Sequence, residues 1–536
     1  RGRCMTAPAH PAQAAATAHE QRVAGLVRWL AAADPREPLA VVRTHISTVI
    51  LAGPLAYKLK RPVRLTFLDF SSLSQRRFFL EEELRINRRT APQLYLDLRP
   101  VTGTVDQPVI GGDGEPADWV LRMRRFEADG EFASMARAGL LQARDVEALA
   151  GHLAAFHRSL VPLTAEAPGG LPPKDARQWA LESLDDIAAN PVRPPECSMD
   201  DLAALRRGID ETFTQAQPLV DQRRAQGFVR ECHGDLHLGN LVRWQGEVFA
   251  FDAIEFDPRL RCIDVVSDVA FTFMDLHAVG LRPLAWRFIN AWAGHTGDYG
   301  GLVLLHRFAA YRALVRAKVV LLSGGDREAF MAFWRLAEEL VRGPQRPRLA
   351  ITMGLSGSGK STVACALADA LGAIWLRSDV ERKRLHGLQP HERPQAGSAL
   401  YGMGATQRTY ARLGELAQTL LGAGLSVVVD AAYLRRDERE AMRQLAARLG
   451  VSFSLVVCTA SPAQLQAHIL QRLQTGNDPS DATLDVLALQ QRVQEPLTPD
   501  EQGRAVEVAN DGPLEALADP VRRLVAAWSL QESSPA

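Results

Sequence analysis

Residues 354–362, which read GLSGSGKST, constrain the fold more than any other part of this chain. They fit the pattern G-x-x-x-x-G-K-[ST], follow a short apolar run at residues 349–353 and precede an Ala- and Leu-rich stretch. A strand, a glycine-rich loop and a helix in this order direct backbone N–H groups and the positive end of the helix toward one point, which suits a phosphate group. The sequence therefore predicts a site for a nucleoside triphosphate.

The loop supplies a first set of candidate nucleotide-binding residues: Gly354, Gly357, Ser358, Gly359, Lys360, Ser361 and Thr362. In such loops the lysine reaches the β- and γ-phosphates and the following hydroxyl ligates Mg²⁺, so Ser361 is also a candidate metal ligand. A Gly/Ser turn in front of an ordinary helix is the alternative, and the strand-loop-helix context disfavours it.

Length, charge and cysteine content limit the classes of protein to which this chain can belong. The chain has 536 residues, more than one hydrophobic core accommodates, and Lys+Arg and Asp+Glu are equal at 62 each. An overall balance of charge provides no global field that would attract nucleic acid or an anionic membrane. The six cysteines are scattered without a C-x-x-C pair, and residues 302–322, the longest apolar candidate, carry five basic or histidine side chains. We therefore expect a cytoplasmic protein with no zinc site and no membrane span.

The order of patterns predicts two domains. Residues 1–20 are expected to be a flexible leader, and whether residues 1–4 belong to the native protein is left open. Residues 21–342 mix β-like and helical segments, and residues 343–347 are a Gly/Pro-containing linker. From 348 to 536 strands and helices alternate, which is typical of a parallel sheet with covering helices. Strands are predicted at 348–353, 374–379, 426–430 and 452–458, and helices at 360–371, 405–423 and 436–449.

A second constellation of polar residues lies in the first domain. Residues 232–240 read CHGDLHLGN, so Asp235 and Asn240 stand five residues apart, and a predicted β-hairpin leads to Asp252 twelve residues further on. This arrangement suits phosphoryl transfer, in which one carboxylate orients and deprotonates a hydroxyl while an Asn and a second Asp hold Mg²⁺. A polar turn capped by Asp235 is the alternative.

A lysine and a glutamate complete this constellation. The strand AYKLK offers Lys58, or Lys60 on the same strand face, as a phosphate-binding lysine. The helix that follows carries Glu83 on an otherwise apolar face, where a carboxylate needs a cationic partner. Glu82 is the second choice, and three solvated glutamates at 81–83 are the alternative.

These motifs carry a resemblance to known families. Residues 39–340, with HGDLHLGN, FDAIEFDP and IDVVSDVA, resemble the aminoglycoside phosphotransferase-like branch of the protein-kinase fold. The whole chain is similar to bacterial two-domain proteins that join such a half to a P-loop kinase half of the gluconate-kinase or zeta-toxin type. The resemblance implies that Asp235 is the catalytic base, that Asn240 and Asp252 bind Mg²⁺, and that Lys58 and Glu83 position ATP. No G-x-G-x-x-G precedes Lys58, which disfavours a protein kinase.

Three residues outside the glycine-rich loop are candidates in the second half. Asp379, near the end of the second strand, is predicted to orient or deprotonate the acceptor hydroxyl, with N-capping of the next helix as the alternative. Asp430, at the end of the next strand, fits a carboxylate that holds Mg²⁺ through water, although an edge-strand Asp without a role remains open. Arg472 is a candidate lid arginine. The basic residues between 377 and 384 suit either an anionic acceptor or a solvated helix face.

Together these features predict an ATP- and Mg²⁺-dependent phosphotransferase with two nucleotide-binding modules, each transferring phosphate to a hydroxyl of a small-molecule acceptor. We expect no nucleic-acid or membrane partner, and the oligomeric state is left open. Two alternatives are a regulatory ATP-binding protein in which one half is a degenerate kinase, and a nucleotide or nucleic-acid end kinase.

Overall fold

The computed structural model describes residues 11–35, 38–65, 68–163, 175–343, 346–390, 392, 402–475, 480–512 and 518–532. The chain divides into two compact units. The first comprises Arg1–Leu141, Ala155–Lys174 and Arg224–Asp268, and the second comprises Gln142–Ala154, Asp175–Arg223 and Val269–Ala536.

The first unit is built on an antiparallel sheet. Its strands and one short hairpin are β1 (Leu39–Arg43), β2 (Ser47–Ala52), β3 (Leu55–Lys60), β4 (Arg64–Leu65), β5 (Leu68–Asp69), β6 (Tyr95–Gly103), β7 (Pro108–Ile110) and β8 (Asp118–Arg124). Six of these strands form one sheet in the order β1-β2-β3-β8-β6-β7, and β4 pairs with β5. Val101 and Val120 belong to the apolar core on one face of the sheet.

The helix α1 (Pro11–Ala33) corrects the prediction of a flexible leader at residues 1–20 for the part from residue 11 onward. The Ala-rich sequence favours a helix, and Val23 and Leu26 bury its apolar side in the same core as Ile50. His19 is buried and lies 3.0 Å (Nε2 to Oγ1) from Thr48 on β2. Residues 1–10 lie outside the described residues.

The helix α2 (Leu73–Asn87) follows the β4–β5 hairpin. The Ser72 side chain accepts a hydrogen bond from the Gln75 backbone N–H and caps the helix. The elements that follow along the chain are a 3₁₀ turn (Ala128–Gly130), α3 (Phe132–Arg137), α4 (Ala143–Ser159), α5 (Ala176–Ala189), α6 (Met199–Ala225), β9 (Val229–Glu231), a 3₁₀ turn (Leu238–Asn240), β10 (Leu241–Trp244), β11 (Glu247–Ala250), α7 (Pro258–Arg261), β12 (Cys262–Asp264) and α8 (Val265–Ala278). Of these, α5 and most of α4, α6 and α8 belong to the second unit.

The predicted hairpin before Asp252 is confirmed. β10 and β11 pair in antiparallel register, and Gln245 and Gly246 between them have φ of 53° and 84°. Positive φ at both central positions is the turn that matches strand twist in a two-residue hairpin. β9 pairs with β12 in antiparallel register, so the two ends of the segment 232–261 lie next to each other.

The second unit contains a helical part and an α/β part. The helical part includes α9 (Arg282–Thr296), a 3₁₀ turn (Gly301–Leu304), α10 (Leu305–Leu322) and α11 (Arg327–Arg342). α10 is the segment whose basic residues argued against a membrane span, and it is a core helix with Arg312 buried. Among the described helices, none combines the length and the apolar character needed to cross a bilayer.

The α/β part confirms the predicted parallel sheet. Its elements are β13 (Arg348–Met353), α12 (Lys360–Leu371), β14 (Ile374–Arg377), α13 (Ser378–Leu385), α14 (Met403–Gly422), β15 (Val427–Asp430), α15 (Arg436–Leu449), β16 (Ser452–Thr459), α16 (Pro462–Thr475), α17 (Leu484–Val493), α18 (Pro499–Arg504), β17 (Val506–Ala509) and α19 (Ala518–Glu532). The strand order is β14-β15-β13-β16-β17, and every pairing is parallel. The prediction of a strand at 374–379 is wrong at its end, because α13 already begins at Ser378.

The helix α9 lies against the α/β part. The Asn290 side chain donates to Ala373 O (2.9 Å) and accepts from Trp375 N (2.8 Å). These bonds satisfy backbone groups at the unpaired edge of the strand β14. The helices after residue 269 therefore share a compact unit with the parallel sheet. The domain boundary at 343–347 stays a prediction, and residues 344–345 of that linker lie outside the described part of the chain.

Candidate active sites

The loop 232–240 is held by a buried carboxylate. Asp268, on α8, accepts hydrogen bonds from the backbone N–H groups of His233 (3.2 Å) and Gly234 (2.8 Å). His157 Nε2 lies 3.0 Å from the same carboxylate. Burial opposes ionisation of Asp268, but the hydrogen bond and the charge of His157 outweigh it and lower the pKa. Asp268 and His157 were not singled out from the sequence, because both come from helices distant in the chain.

The structure brings Asp235, Asn240 and Asp252 together. Asn240 Nδ2 donates to the backbone oxygen and to Oδ2 of Asp235, both at 3.0 Å. Asp252 has a φ of 61°, a left-handed conformation that costs a non-glycine residue energy. Its backbone N–H donates to the Tyr95 hydroxyl (3.0 Å). The strained backbone at Asp252 is typical of a residue whose side chain must point in one direction.

Two lysines of β3 share one glutamate. Lys58 Nζ lies 2.6 Å from Glu83 Oε1 and 2.6 Å from Asp252 Oδ1. Lys60 Nζ lies 2.6 Å from Glu83 Oε2 and 2.5 Å from Glu255 Oε1. Desolvation opposes the charge of Lys58, yet Asp252 and Glu83 outweigh it and hold the pKa well above its usual value. Desolvation likewise opposes ionisation of Asp252, and Lys58 overcomes it and lowers the pKa.

The three neighbouring glutamates of α2 differ in their surroundings. Glu83 is fully buried, whereas Glu82 pairs with Arg85 and Arg261 at 2.6 Å and Glu81 pairs with Arg77 on the surface. Glu83 is thus the glutamate that contacts Lys58. Lys58, rather than Lys60, contacts Asp252, so the two lysines that the sequence left open are distinguished by their second partner.

The first-unit cluster has the donor set that Mg²⁺ and a triphosphate require. Asp235, Asn240 and Asp252 offer oxygen ligands of the kind that Mg²⁺ prefers, and the Asp252 carboxylate is 43% exposed and so accessible. Lys58 offers a cation beside them. The residues present therefore fit a magnesium-bound phosphate group.

The glycine-rich loop forms a cradle with no room for larger side chains. Gly357 and Gly359 have φ of 88° and 86°. A Cβ at Gly359 would lie 2.4 Å from Asn510 Nδ2, and one at Gly357 would lie 2.6 Å from Leu465 O. Both the conformation and the space therefore require glycine at these positions.

Lys360 and Ser361 start α12 at the end of this loop. Lys360 Nζ donates to Leu355 O (2.8 Å), and burial lowers the pKa of Lys360. Burial raises the pKa of Asp430, while Arg377 and a hydrogen bond from Ser361 oppose the rise. Asp430 thus lies beside the hydroxyl that the sequence predicts as its fellow metal ligand. A cation bound here would stabilise the ionised carboxylate.

A cavity of about 720 Å³ opens over the loop. The predicted residues that line it are Gly357, Gly359, Lys360, Ser361, Thr362, Asp379, Asp430 and Arg472. Gly354 and Ser358 do not line the cavity. The Gly354 N–H donates to Ala432 O (3.1 Å), and the Ser358 side chain is buried. Asp379 belongs to the first turn of α13. Arg472 Nη2 donates to Ala482 O, across a segment of which residues 476–479 lie outside the described chain.

Three residues at this cavity escaped sequence reasoning. Gln490 accepts a hydrogen bond from Ser356 N (2.7 Å), and His468 Nδ1 lies 2.8 Å from Gly357 O. Asn510 is 1% exposed, and neither the nitrogen nor the oxygen of its side-chain amide has a hydrogen-bond partner among the described residues. A buried amide beside a phosphate cradle fits a bound nucleotide. No local pattern marks these residues, because each comes from an element that folding brings to the loop.

The parallel sheet, the glycine cradle and Lys360 define the α/β part as a P-loop nucleotide-binding domain, and residues 349–497 match a family model described as an AAA domain. Over 465 residues the chain is 32% identical to the uncharacterized protein Rv2004c of Mycobacterium tuberculosis and to the uncharacterized protein Mb2027c of Mycobacterium bovis. The alignments cover 84% of this chain and 89% of each relative. The chain belongs to the same family as these mycobacterial proteins.

Solved structures resemble separate parts of the chain. A gluconokinase from Sinorhizobium meliloti is 25% identical and matches 35% of this chain and 99% of its own, with a TM-score of 0.25. A choline/ethanolamine kinase family protein from Mesorhizobium loti is 12% identical and matches 60% of this chain and 96% of its own, with a TM-score of 0.38.

Proposed function

We propose that this protein is an ATP- and Mg²⁺-dependent phosphotransferase with two nucleotide sites, each transferring the γ-phosphate to a hydroxyl of a small-molecule acceptor. The observation that carries the proposal is the first-unit cluster: Lys58 pairs with Glu83 and Asp252. Asn240 Nδ2 lies within 3.5 Å of both the Asp235 carboxylate and the Asp252 backbone oxygen. Phosphoryl transfer depends mainly on positioning and charge neutralisation, and this cluster supplies groups for both.

In the first site each residue has a distinct role. Asp235 orients the acceptor hydroxyl and takes its proton, and Asn240 and Asp252 hold Mg²⁺. Glu83 holds the Lys58 ammonium in place, so that Lys58 can contact phosphate oxygens. Bound Mg²⁺ supplies neutralisation of phosphate charge. Asp268 acts as a positioning residue through the backbone of the loop 232–240.

In the second site the loop amides and Lys360 bind the phosphates, and Ser361 and Asp430 hold Mg²⁺. Asp379 orients and deprotonates the acceptor hydroxyl. Arg472 lies in the cavity wall, where its guanidinium can stabilise charge that develops on the transferred group.

The test is ATP consumption by the full chain against a library of hydroxylated metabolites. We expect Asp235→Ala to abolish turnover of one group of acceptors and Lys360→Ala to abolish turnover of another. Asp113→Ala and Arg448→Ala, which change exposed residues outside both clusters, serve as matched controls. Turnover that neither Asp235→Ala nor Lys360→Ala reduces would refute the proposal. Loss with Lys360→Ala alone would instead favour a first half that binds ATP for regulation.

A further inference from the structure

Three of the four basic residues between 377 and 384 have structural partners. Lys383 pairs with Asp481 (2.9 Å), and Arg382 donates to the Thr406 hydroxyl (3.1 Å). Arg384 pairs with Glu381 and donates to Gly294 O (2.6 Å). These side chains therefore join α13 to its neighbours and are not a solvated helix face.

Arg377 is different. Its guanidinium lies over the Trp375 ring, 4.4 Å from the ring centroid, and lines the cavity. Among the described residues, no carboxylate lies within ion-pairing distance (4.0 Å) of Arg377. The Trp375 backbone N–H donates to Asn290 Oδ1 of α9 (2.8 Å), which holds in place the strand that carries this ring. Arg377 is thus a cation in the cavity wall that has no direct ion-pair partner among the described residues, although its charge acts on Asp430 at longer range.

The order of the strands shows which residues lie on which side of the glycine-rich loop. The glycine-rich loop follows β13 in the centre of the sheet, whereas Asn510 follows β17 at one edge and Arg377 ends β14 at the other. Asp379 follows β14, and Asp430 is the last residue of β15. Both carboxylates therefore lie on the Arg377 side of the loop. Since the proposed function assigns Asp379 to the acceptor hydroxyl, it places the acceptor on that side.

We propose that the acceptor of the second site is an alcohol that also carries an anionic group, and that Arg377 binds this group. The proposal rests on the proposed function of the second site and names the class of its acceptor. In the reaction, the acceptor oxygen bonds to the γ-phosphorus as the bond from that phosphorus to the β,γ-bridging oxygen breaks, and the Asp379 carboxylate takes the hydroxyl proton. Ala291 and His295 of α9 also line the cavity, so α9 limits the size of the acceptor.

The first experiment measures anion binding without turnover. Inorganic sulfate is titrated into the full chain by calorimetry in the presence of saturating Mg²⁺ and a non-hydrolysable ATP analogue, which fills the γ-phosphate position. We expect Arg377→Gln to weaken sulfate binding by about 10- to 100-fold, the value of a hydrogen bond to a charged group. Arg377→Lys keeps the charge and should restore part of the affinity, and Arg448→Gln is the matched control. Absence of saturable sulfate binding, or equal binding by Arg377→Gln, would overturn the proposal.

The second experiment measures turnover with paired acceptors that differ only in charge, such as gluconate and sorbitol, or glycerol 3-phosphate and glycerol. We expect Lys360-dependent turnover of an acid and a KM for it that Arg377→Gln raises about 10- to 100-fold, with the KM for ATP unchanged. Comparison of the gluconate pair with the glycerol 3-phosphate pair shows whether the anionic group of the acceptor is a carboxylate or a phosphate. Lys360-dependent turnover confined to uncharged alcohols would refute the anionic acceptor and leave the proposed function intact. Arg377-dependent sulfate binding without any Lys360-dependent turnover would support an anion site at Arg377 and refute the proposed function of the second site.

Discussion

At the scale of single residues, Lys58 and Lys60 should differ in what their loss does. Lys58→Met removes the cation beside Asp252, and we expect turnover at the first site to fall by about 100-fold or more, as for other groups that stabilise transition-state charge. Lys60→Met removes the buried cation that pairs with Glu83 and Glu255, so it should lower the free energy of unfolding by about 3 kcal/mol. The loss of turnover should be smaller than that of Lys58→Met. Steady-state kinetics and urea unfolding measure the two effects.

The double variant Lys60→Met/Glu255→Met is the control for this assignment. It removes both charges of the second pair, so it should recover much of the stability lost in Lys60→Met. The assignment would be wrong if Lys60→Met abolished turnover at the first site while Lys58→Met retained it.

The same residues show how far sequence reasoning reaches. Glu83 could be found because helical spacing puts it on the apolar face of α2. Lys58 and Lys60 could not be separated, because residues two apart on a strand share a face and both reach Glu83. Only Asp252, which follows a turn nearly 200 residues later, distinguishes them. Asn510 and Gln490 could not be found from the sequence, since Gln490 bonds to a backbone N–H of a loop distant in the chain and Asn510 lies against that loop without a hydrogen-bond partner for its side chain in the described part of the chain.

At the scale of elements, the glycine-rich loop should not tolerate a methyl group. Gly359→Ala would place Cβ at a φ of 86° and against Asn510, so the loop must distort. We expect the affinity of the second site for Mg²⁺-ATP to fall at least about 10-fold, because the loop amides no longer converge. Calorimetry in a Lys58→Met background isolates the second site. Gly414→Ala, which meets open space within α14, should leave the affinity unchanged.

The edge strand β14 should depend on α9. Asn290→Leu keeps the approximate size of the side chain but removes its bonds to Ala373 O and Trp375 N, which leaves one acceptor and one donor unsatisfied. We expect a loss of about 2–4 kcal/mol in the free energy of unfolding. Hydrogen exchange of residues 373–377 should accelerate more than that of β16. Unchanged protection of β14 would show that α9 does not support the strand.

Elements were predicted well where the pattern is local. The bounds of β13, α12 and α15 match the sequence prediction, because a strand-loop-helix motif or a sustained helical period marks them. The helix α1 was missed at its start, because its first turns carry alanines without an apolar stripe, and its contact through His19 is with Thr48 on the strand β2. The close packing of α9 on β14 was also missed, since it depends on side-chain bonds between distant segments.

At the scale of the whole molecule, acid should weaken both compact units over one pH range, because each contains a histidine that is neutral when folded. Burial lowers the pKa of His19, in the first unit, and of His306, in the second, from 6.5 to about 4. Between these values the unfolded chain binds a proton that the folded chain does not. The stabilisation is therefore complete above pH 6.5 and is lost as the pH falls toward 4, by up to about 3 kcal/mol for each histidine.

The variant His19→Gln separates the two units. Gln can retain a hydrogen bond to Thr48 but does not titrate, so the first unit should lose this part of its pH dependence while the second keeps its own. Burial raises the pKa of Asp430, which gives the opposite pH dependence, but Asp430 is present in both proteins and cancels from the comparison. Pulsed hydrogen exchange across urea titrations at about pH 7 and about pH 5 follows β2 and α10 separately. Equal acid sensitivity of β2 in the two proteins would exclude His19 as a cause. A response of β2 that is flatter in His19→Gln, with α10 unchanged, would assign that part of the acid lability of the first unit to the His19 ring.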